Sequence, residues 1–246
     1  MKVIILAGGL GTRLGEYTKS IPKPMVKINK YPILLYIINH YLNHGFKNIF
    51  IAAGYKSNII KKFFKNFKKT GKEFQSKIFG KTCNLTIVDT GKKTLTGGRL
   101  KRMKNYIKQN EHFMFTYGDG VSNVNLTKLK KFHLKNKKLV TVTAVRPPAR
   151  FGEIVINKKN QVISFKEKPQ VKNGWINGGF FVAKKKFLDF INKDTEILEK
   201  RPLEFVAKKN QLIAFKHNGF WKCLDVRRDK EELEEIFKKK NFFNLL

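Results

Sequence analysis

Leu6-Ala7-Gly8-Gly9-Leu10-Gly11-Thr12-Arg13-Leu14 follows directly on the apolar run Val3–Leu6, and the break at Gly8 decides how the chain is read. Four consecutive apolar residues with no alternation describe a strand buried on both faces. The glycines that end it leave no side chain between their N–H groups and an anion. The spacing matches neither common phosphate loop. No Gly-Lys-Ser/Thr follows, which excludes a Walker A loop, and Gly15 falls one position too late for Gly-x-Gly-x-x-Gly. Arg13 and then Pro22-Lys23-Pro24-Met25 supply positive charge, with prolines fixing the backbone on both sides of Lys23. One arginine and one lysine beside exposed amides suit a polyphosphate. Two solvated loop cations are the plain alternative.

Outward from this loop, strands and helices alternate. Pro32–His44 reads as a helix with Leu35, Ile38 and Leu42 on one face, and 47–53 as a second strand. Ser57 is the expected N-cap of a helix over 58–69. Strands are expected at 84–88 and 112–117, with a helix near 99–108 between them. His112–Tyr117 runs straight into Gly118-Asp119-Gly120. The pattern implies an α/β fold with a mainly parallel sheet and helices on both faces. After Leu139 the texture changes to short strands at 140–145, 153–156, 162–166, 176–182 and 211–215, with helices near 202–208 and 228–239. No linker divides the chain, so a single domain is expected, with a first half over about 1–138 and a second, smaller lobe over about 139–246.

The 246 residues carry 52 lysines and arginines against 18 acids, a net charge of +34. Such a balance normally points to nucleic acid or an anionic surface. Here the lysines are spread over many segments, in company with abundant Asn, Ile and Phe, whose codons are rich in A and T. Codon composition therefore explains the charge as well as an anionic partner does. Phe63, Phe64 and Phe67 lie among lysines, but their spacing is that of a core-facing stripe, and no nucleic-acid partner is expected. No apolar run approaches the roughly 18–20 residues that cross a bilayer. Lys2 with Val3–Leu6 imitates the start of a signal peptide until Gly8 cuts it short, so a cytoplasmic chain without membrane insertion is expected. Cys83 and Cys223 form no disulfide framework and no zinc spacing.

The glycine loop with Pro22-Lys-Pro-Met25 resembles the signature of the sugar-1-phosphate nucleotidyltransferases. The resemblance continues in order through Thr96-Gly-Gly-Arg-Leu-Lys-Arg102, Tyr117-Gly-Asp-Gly120, Arg150-Phe-Gly152, Glu167-Lys-Pro169, Asn177-Gly-Gly-Phe180 and Trp221 to Asp225. Thr96-Gly-Gly-Arg99 and Gly219-Phe-Trp221 are most similar to the branch that joins CTP and glucose 1-phosphate. The resemblance implies a Rossmann-like three-layer fold with a mixed, mostly parallel sheet, and a homo-oligomer for which a hexamer is one candidate. It implies a transfer in which the sugar phosphate attacks the α-phosphorus of the nucleotide and expels pyrophosphate. UTP, dTTP, another sugar 1-phosphate or a phosphocholine acceptor are the alternatives within that class. No hexapeptide-repeat β-helix follows in the sequence, so the longer fused relatives are not expected.

Such displacements rest on positioning and charge neutralisation. The attacking phosphate is already largely ionised at neutral pH, so the five histidines, which form no motif, are not needed as bases. Asp119 at a strand end between two glycines suits Mg²⁺, which takes one or two carboxylates and fills its octahedron with phosphate and water. By resemblance Asp225 supplies the second carboxylate, although Val226 follows it where threonine is usual. Lys168 resembles the lysine that holds the sugar phosphate, so Arg13, Lys23, Lys168 and Asp119 are the expected catalytic set. Leu6, Ala7, Gly8, Gly9, Gly11, Thr12, Thr94, Arg99 and Gly118 are expected at the nucleotide with Arg13 and Lys23. Phe151, Gly152, Glu167, Asn177 and Gly178 are expected at the sugar with Lys168. A nucleic-acid-binding module and a catalytically silent nucleotide-sugar sensor are the rival readings.

Overall fold

Val3, Ile5 and Ala7 face one hydrophobic cluster and Ile4 and Leu6 another, and all five are buried. An unalternating apolar strand is therefore the seam between two core layers. The computed structural model describes residues 1–65, 68–70, 73–146, 153–166 and 174–239. The strand spans Val3–Ala7 and lies inside a nine-stranded sheet. The sheet order is Leu212–His217, Val140–Val145, Ile176–Lys184, His112–Tyr117, Val3–Ala7, Asn48–Ala53, Lys81–Asp89, Glu73–Ile78, Lys68–Thr70. All neighbours are parallel except around Ile176–Lys184 and Glu73–Ile78, which run against the rest. The expected mixed, mostly parallel sheet is found, and strands from both halves of the chain interleave in it.

Helices Ile33–Asn43, Leu126–Asn136 and Arg227–Lys239 cover the Val3/Ile5 face through Ile38, Leu129 and Leu233. Thr96–Lys101 and Arg201–Lys208 cover the other through Leu100 and Val206. Among the described residues no helix is long and apolar enough to cross a membrane.

The stretch after Ser57 departs from expectation. The helix runs only from Ser57 to Phe63, and the position before it is Lys56, at φ 50°. Ser57 is thus the first helical residue, and its hydroxyl donates to Asp89 Oδ2 at 2.7 Å instead of capping. Lys61 and Lys65 sit four apart, a like-charge pair that opposes a longer helix. The chain turns instead into Lys68–Thr70 and Glu73–Ile78, which extend the sheet edge beside Lys81–Asp89. Phe64 is buried and Phe63 exposed, while Phe67 lies outside the described residues. The helix expected near 99–108 is likewise divided, into Thr96–Lys101 and a short 3₁₀ turn at Lys104–Tyr106.

Candidate active site

Parallel strands expose their carboxyl ends at one edge of a sheet, where connecting loops form a crevice. At the ends of Val3–Ala7 and His112–Tyr117 that crevice has a volume of about 310 Å³. All eleven residues expected at the nucleotide line it: Leu6, Ala7, Gly8, Gly9, Gly11, Thr12, Arg13, Lys23, Thr94, Arg99 and Gly118. Asp119, Pro24 and Tyr117 line it as well.

Lys23 is aimed by its two prolines. Pro22 is extended, and one 3₁₀ turn over Lys23–Met25 follows. The turn is closed by the Met25 N–H donating to Pro22 O at 2.8 Å. The Pro24 ring packs on Gly118, where a Cβ would stand 2.8 Å from Pro24 Cγ and 3.0 Å from Leu6 O. Glycine at 118 is therefore a matter of space, and its absent side chain sets the Lys23 loop against the turn that carries Asp119. Asp225 arrives from the far end of the chain. Trp221–Cys223 pairs antiparallel with Gly120–Ser122, and the Leu224 N–H donates to Asp119 O at 2.8 Å. This small two-stranded sheet brings the two acids side by side.

Between them stands one ammonium. Lys23 Nζ donates to Asp119 Oδ2 at 2.6 Å and to Asp225 Oδ1 at 2.7 Å. The two carboxylate oxygens therefore lie no farther apart than those two bonds laid end to end. Arg13, largely exposed, donates to the other oxygen of Asp225. Burial lowers the affinity of the Lys23 amine for its proton, but Asp119 and Asp225 outweigh it and hold the pKa above the ordinary lysine value. Among the described residues no group of three or more His, Cys, Asp or Glu could hold a metal ion. Two carboxylates alone fit a hard cation that takes its remaining ligands from phosphate and water, which is the habit of Mg²⁺.

The helix that follows Asp225 steadies it. Asp229 Oδ2 accepts the N–H groups of Asp225 and Val226, both at 2.9 Å. Asp229 is the third residue of Arg227–Lys239, so it supplies the acidic half of a capping box. Val226 lacks the hydroxyl that threonine would contribute to the other half.

Arg99 meets the cleft from beneath. It is 2% exposed, and its guanidinium donates to Ala53 O (2.9 Å), Thr90 Oγ1, Gly91 O (3.2 Å), Gly8 O (3.1 Å) and Thr94 O (2.6 Å). A Cβ on Gly8 or Gly54 would stand 2.0 or 2.2 Å from its Nη1. Burial pulls the guanidinium down to about 10, still a cation at neutral pH. Arg99 thus fastens the glycine loop to Ala53 and to the 90–94 loop. Gly97 and Gly98 have a packing reason as well, since the loop at Asp194–Glu196 lies where their side chains would be.

On the side expected to hold the sugar, Asn177 Nδ2 donates to Tyr117 Oη at 3.2 Å, and its Oδ1 accepts the Gly179 N–H at 2.9 Å. Gly178 O accepts from Trp221 Nε1 at 2.7 Å. Burial and the carboxylate of Glu199 push the Tyr117 phenol well above its ordinary pKa, so it stays protonated and donates to Glu199. Phe151, Gly152, Glu167 and Lys168 lie outside the described residues. The sequence reading did not single out Glu199, Asp229, Gly54 or Tyr117 as a bridge. Glu199 has no motif around it, whereas the spacing of Asp229 from a helix start was a usable signal.

Residues 2–224 match the family described as Nucleotidyl transferase. The chain is 44% identical to the glucose-1-phosphate cytidylyltransferase of Salmonella typhimurium over 97% of this chain and 96% of that one. It is 36% identical to a probable glucose-1-phosphate cytidylyltransferase of Bacillus subtilis, over 96% of each. Among solved structures, HddC from Yersinia pseudotuberculosis superposes with a TM-score of 0.72 at 25% identity, covering 96% of this chain and 99% of that one. HddC has also been solved in complex with GMP-PN.

Arg99→Met takes a donor from five acceptors at once; Gly8 O and Ala53 O keep the N–H groups of Tyr55 and Thr90, whereas a buried acceptor such as Thr94 O left without a donor costs about 1–3 kcal/mol. The variant is expected to lose about 3 kcal/mol or more of unfolding free energy in urea titrations and to bind nucleotide more weakly by calorimetry. Arg99→Lys recovers little, because one ammonium cannot span five acceptors. Wild-type stability in Arg99→Met contradicts this role.

Proposed function

The chain belongs to the nucleotidyl transferase family, and we propose that it moves a cytidylyl group from CTP to α-D-glucose 1-phosphate with Mg²⁺. The products are CDP-glucose and pyrophosphate. The observation that carries this reading is the meeting of Asp119 and Asp225 at Lys23, beside a cleft lined by the glycine loop. The near full-length likeness to the Salmonella enzyme supports the choice of base and sugar.

The reaction needs little from the protein beyond placement. A phosphate oxygen of glucose 1-phosphate attacks the α-phosphorus, and the bond to the bridging oxygen of pyrophosphate breaks in line. The backbone N–H groups of the Gly8–Gly11 loop and the side chains of Arg13 and Lys23 take up triphosphate charge. Asp119 and Asp225 are the residues that would hold Mg²⁺, which when bound neutralises phosphate oxygens as charge shifts toward the leaving group. Thr94 and Gly118 face the nucleoside side. Asn177 reaches a sugar hydroxyl, while the bare Cα of Gly178 admits the neighbouring strand, since a Cβ there would stand 2.7 Å from Val145 Cγ1 and 2.9 Å from Thr143 O. Lys168, with Glu167, Phe151 and Gly152, completes the sugar side in this reading, with Lys168 reducing the charge of the attacking phosphate.

The proposal extends to a cytoplasmic enzyme that feeds dideoxysugar or surface-polysaccharide synthesis, and to a homo-oligomer. Glu153–Ile156 and Val162–Lys166 form a two-stranded sheet of their own. Ile154, Ile156, Val162, Ile163 and Phe165 on it are 47%, 53%, 56%, 63% and 66% exposed. A lone ribbon is marginal in water, and an apolar patch of this kind marks an interface. A second copy of this chain is the proposed occupant, with a hexamer as the size to look for. Light scattering on Ile163→Asp and Phe165→Asp is expected to show a smaller particle than the wild type, and an unchanged mass overturns this interface.

The activity is tested by supplying nucleotides one at a time with glucose 1-phosphate and Mg²⁺ and following pyrophosphate release. CTP is expected to support turnover far above UTP or dTTP, and equal rates with UTP and CTP remove the cytidylyl assignment. Asp119→Asn is expected to lower kcat by about 100-fold or more while moving Tm by less than ~2 °C.

A further inference from the structure

Lys23 occupies the point between two carboxylates at which the proposed function requires a divalent ion. Its ammonium makes charge-assisted bonds to both acids, at 2.6 and 2.7 Å, and its side chain is 11% exposed. The backbone under it is immobilised by Pro22, by the 3₁₀ turn and by the contact of Pro24 with Gly118. The stem between that backbone and Nζ is a flexible four-carbon chain. A shift of Nζ toward a phosphate therefore calls for side-chain torsions and not for a rearrangement of the loop. Arg13 holds the outer oxygen of Asp225 in the same way. Both cations also line the cleft, where a triphosphate competes for them.

We propose that Lys23 is a stand-in counter-ion: in the nucleotide-free protein it keeps Asp119 and Asp225 together and excludes a divalent cation, which enters only as the triphosphate draws the lysine away. The inference rests on the reading of Asp119 and Asp225 as metal ligands. Two carboxylates this close repel each other, and a fixed positive charge between them removes that cost until substrate arrives. A divalent ion alone must displace an ammonium bonded to both acids. With the nucleotide bound, Nζ gains phosphate oxygens as partners and the acids are released to the ion. Metal and nucleotide binding are then positively coupled beyond their affinity for each other, and the coupling is reciprocal.

The test is Mn²⁺ binding to the full chain without nucleotide, read from the free-ion electron paramagnetic resonance signal, on wild type, Lys23→Met, Lys23→Gln and Lys23→Arg. Both neutral variants are expected to bind Mn²⁺ at least about tenfold tighter than wild type, and Lys23→Arg to remain weak. Lys23→Gln serves if Lys23→Met does not fold. Wild type is then expected to gain more Mn²⁺ affinity than either neutral variant on addition of a non-hydrolysable CTP analogue. Equal or weaker binding in the neutral variants, with Mn²⁺ binding to wild type plus analogue still lost in Asp119→Asn, overturns the stand-in role alone. Mn²⁺ binding that ignores Asp119→Asn under every condition overturns the metal-ligand reading itself, and the stand-in role with it. Neither result depends on which sugar 1-phosphate the enzyme turns over.

Discussion

Three charged groups separated by 96 and 202 positions along the chain meet at the Lys23 ammonium, and the fold converges on that contact. Loops near the start, middle and end of the chain must all arrive at one sheet edge within hydrogen-bond distance. The sheet supplies the first part of the solution. Val3–Ala7 and His112–Tyr117 lie side by side in parallel register, so the glycine loop and Asp119 leave the core at the same edge. The second part is the pairing of Trp221–Cys223 with Gly120–Ser122, which brings Asp225 to its partner. Without the ammonium, the two acids would face each other across a half-buried gap in which repulsion is poorly screened.

The cations of the cleft divide into one bonded to the protein backbone and two paired with acids. Arg99 is the first: a buried cation whose donors are spent on the backbone and on Thr90, with the glycine loop clamped above it. Lys23 and Arg13 are the cleft's other cations, and their partners are the carboxylates of Asp119 and Asp225. Positive charges held beside the glycine loop suit a reaction whose difficulty is the meeting of two anions. Tyr117 joins the two sides of the site, since its hydroxyl touches both Glu199 and Asn177 while its backbone precedes Gly118.

Much of this was legible in the sequence, for identifiable reasons. The unalternating Val3–Leu6 run, the strand at 112–117 and the short strands after Leu139 carry strong local patterns, and they appear where expected. The site residues sit in motifs whose types announce phosphate chemistry. What stayed hidden depends on partners remote in sequence. Ser57 looks like a cap until Asp89 is placed beside it. The lysine-rich stretch after Phe64 looks helical until the sheet edge offers it a neighbour. Arg99 reads as a ligand contact, and only the fold shows five protein acceptors around its guanidinium. Lys23, Asp119 and Asp225 each stand in a legible motif, but their direct pairing is a property of the folded chain and has no signature in residue order.

The central claim is that Asp119 and Asp225 together hold one divalent ion once Lys23 has moved to the nucleotide. Crystals grown with Mn²⁺ and a non-hydrolysable CTP analogue test it directly through the anomalous signal of the metal. The account predicts a single strong peak between the two carboxylates, within bonding distance of both, with Lys23 Nζ on a phosphate oxygen. A peak bound by phosphates alone, with Lys23 still bridging Asp119 and Asp225, contradicts it.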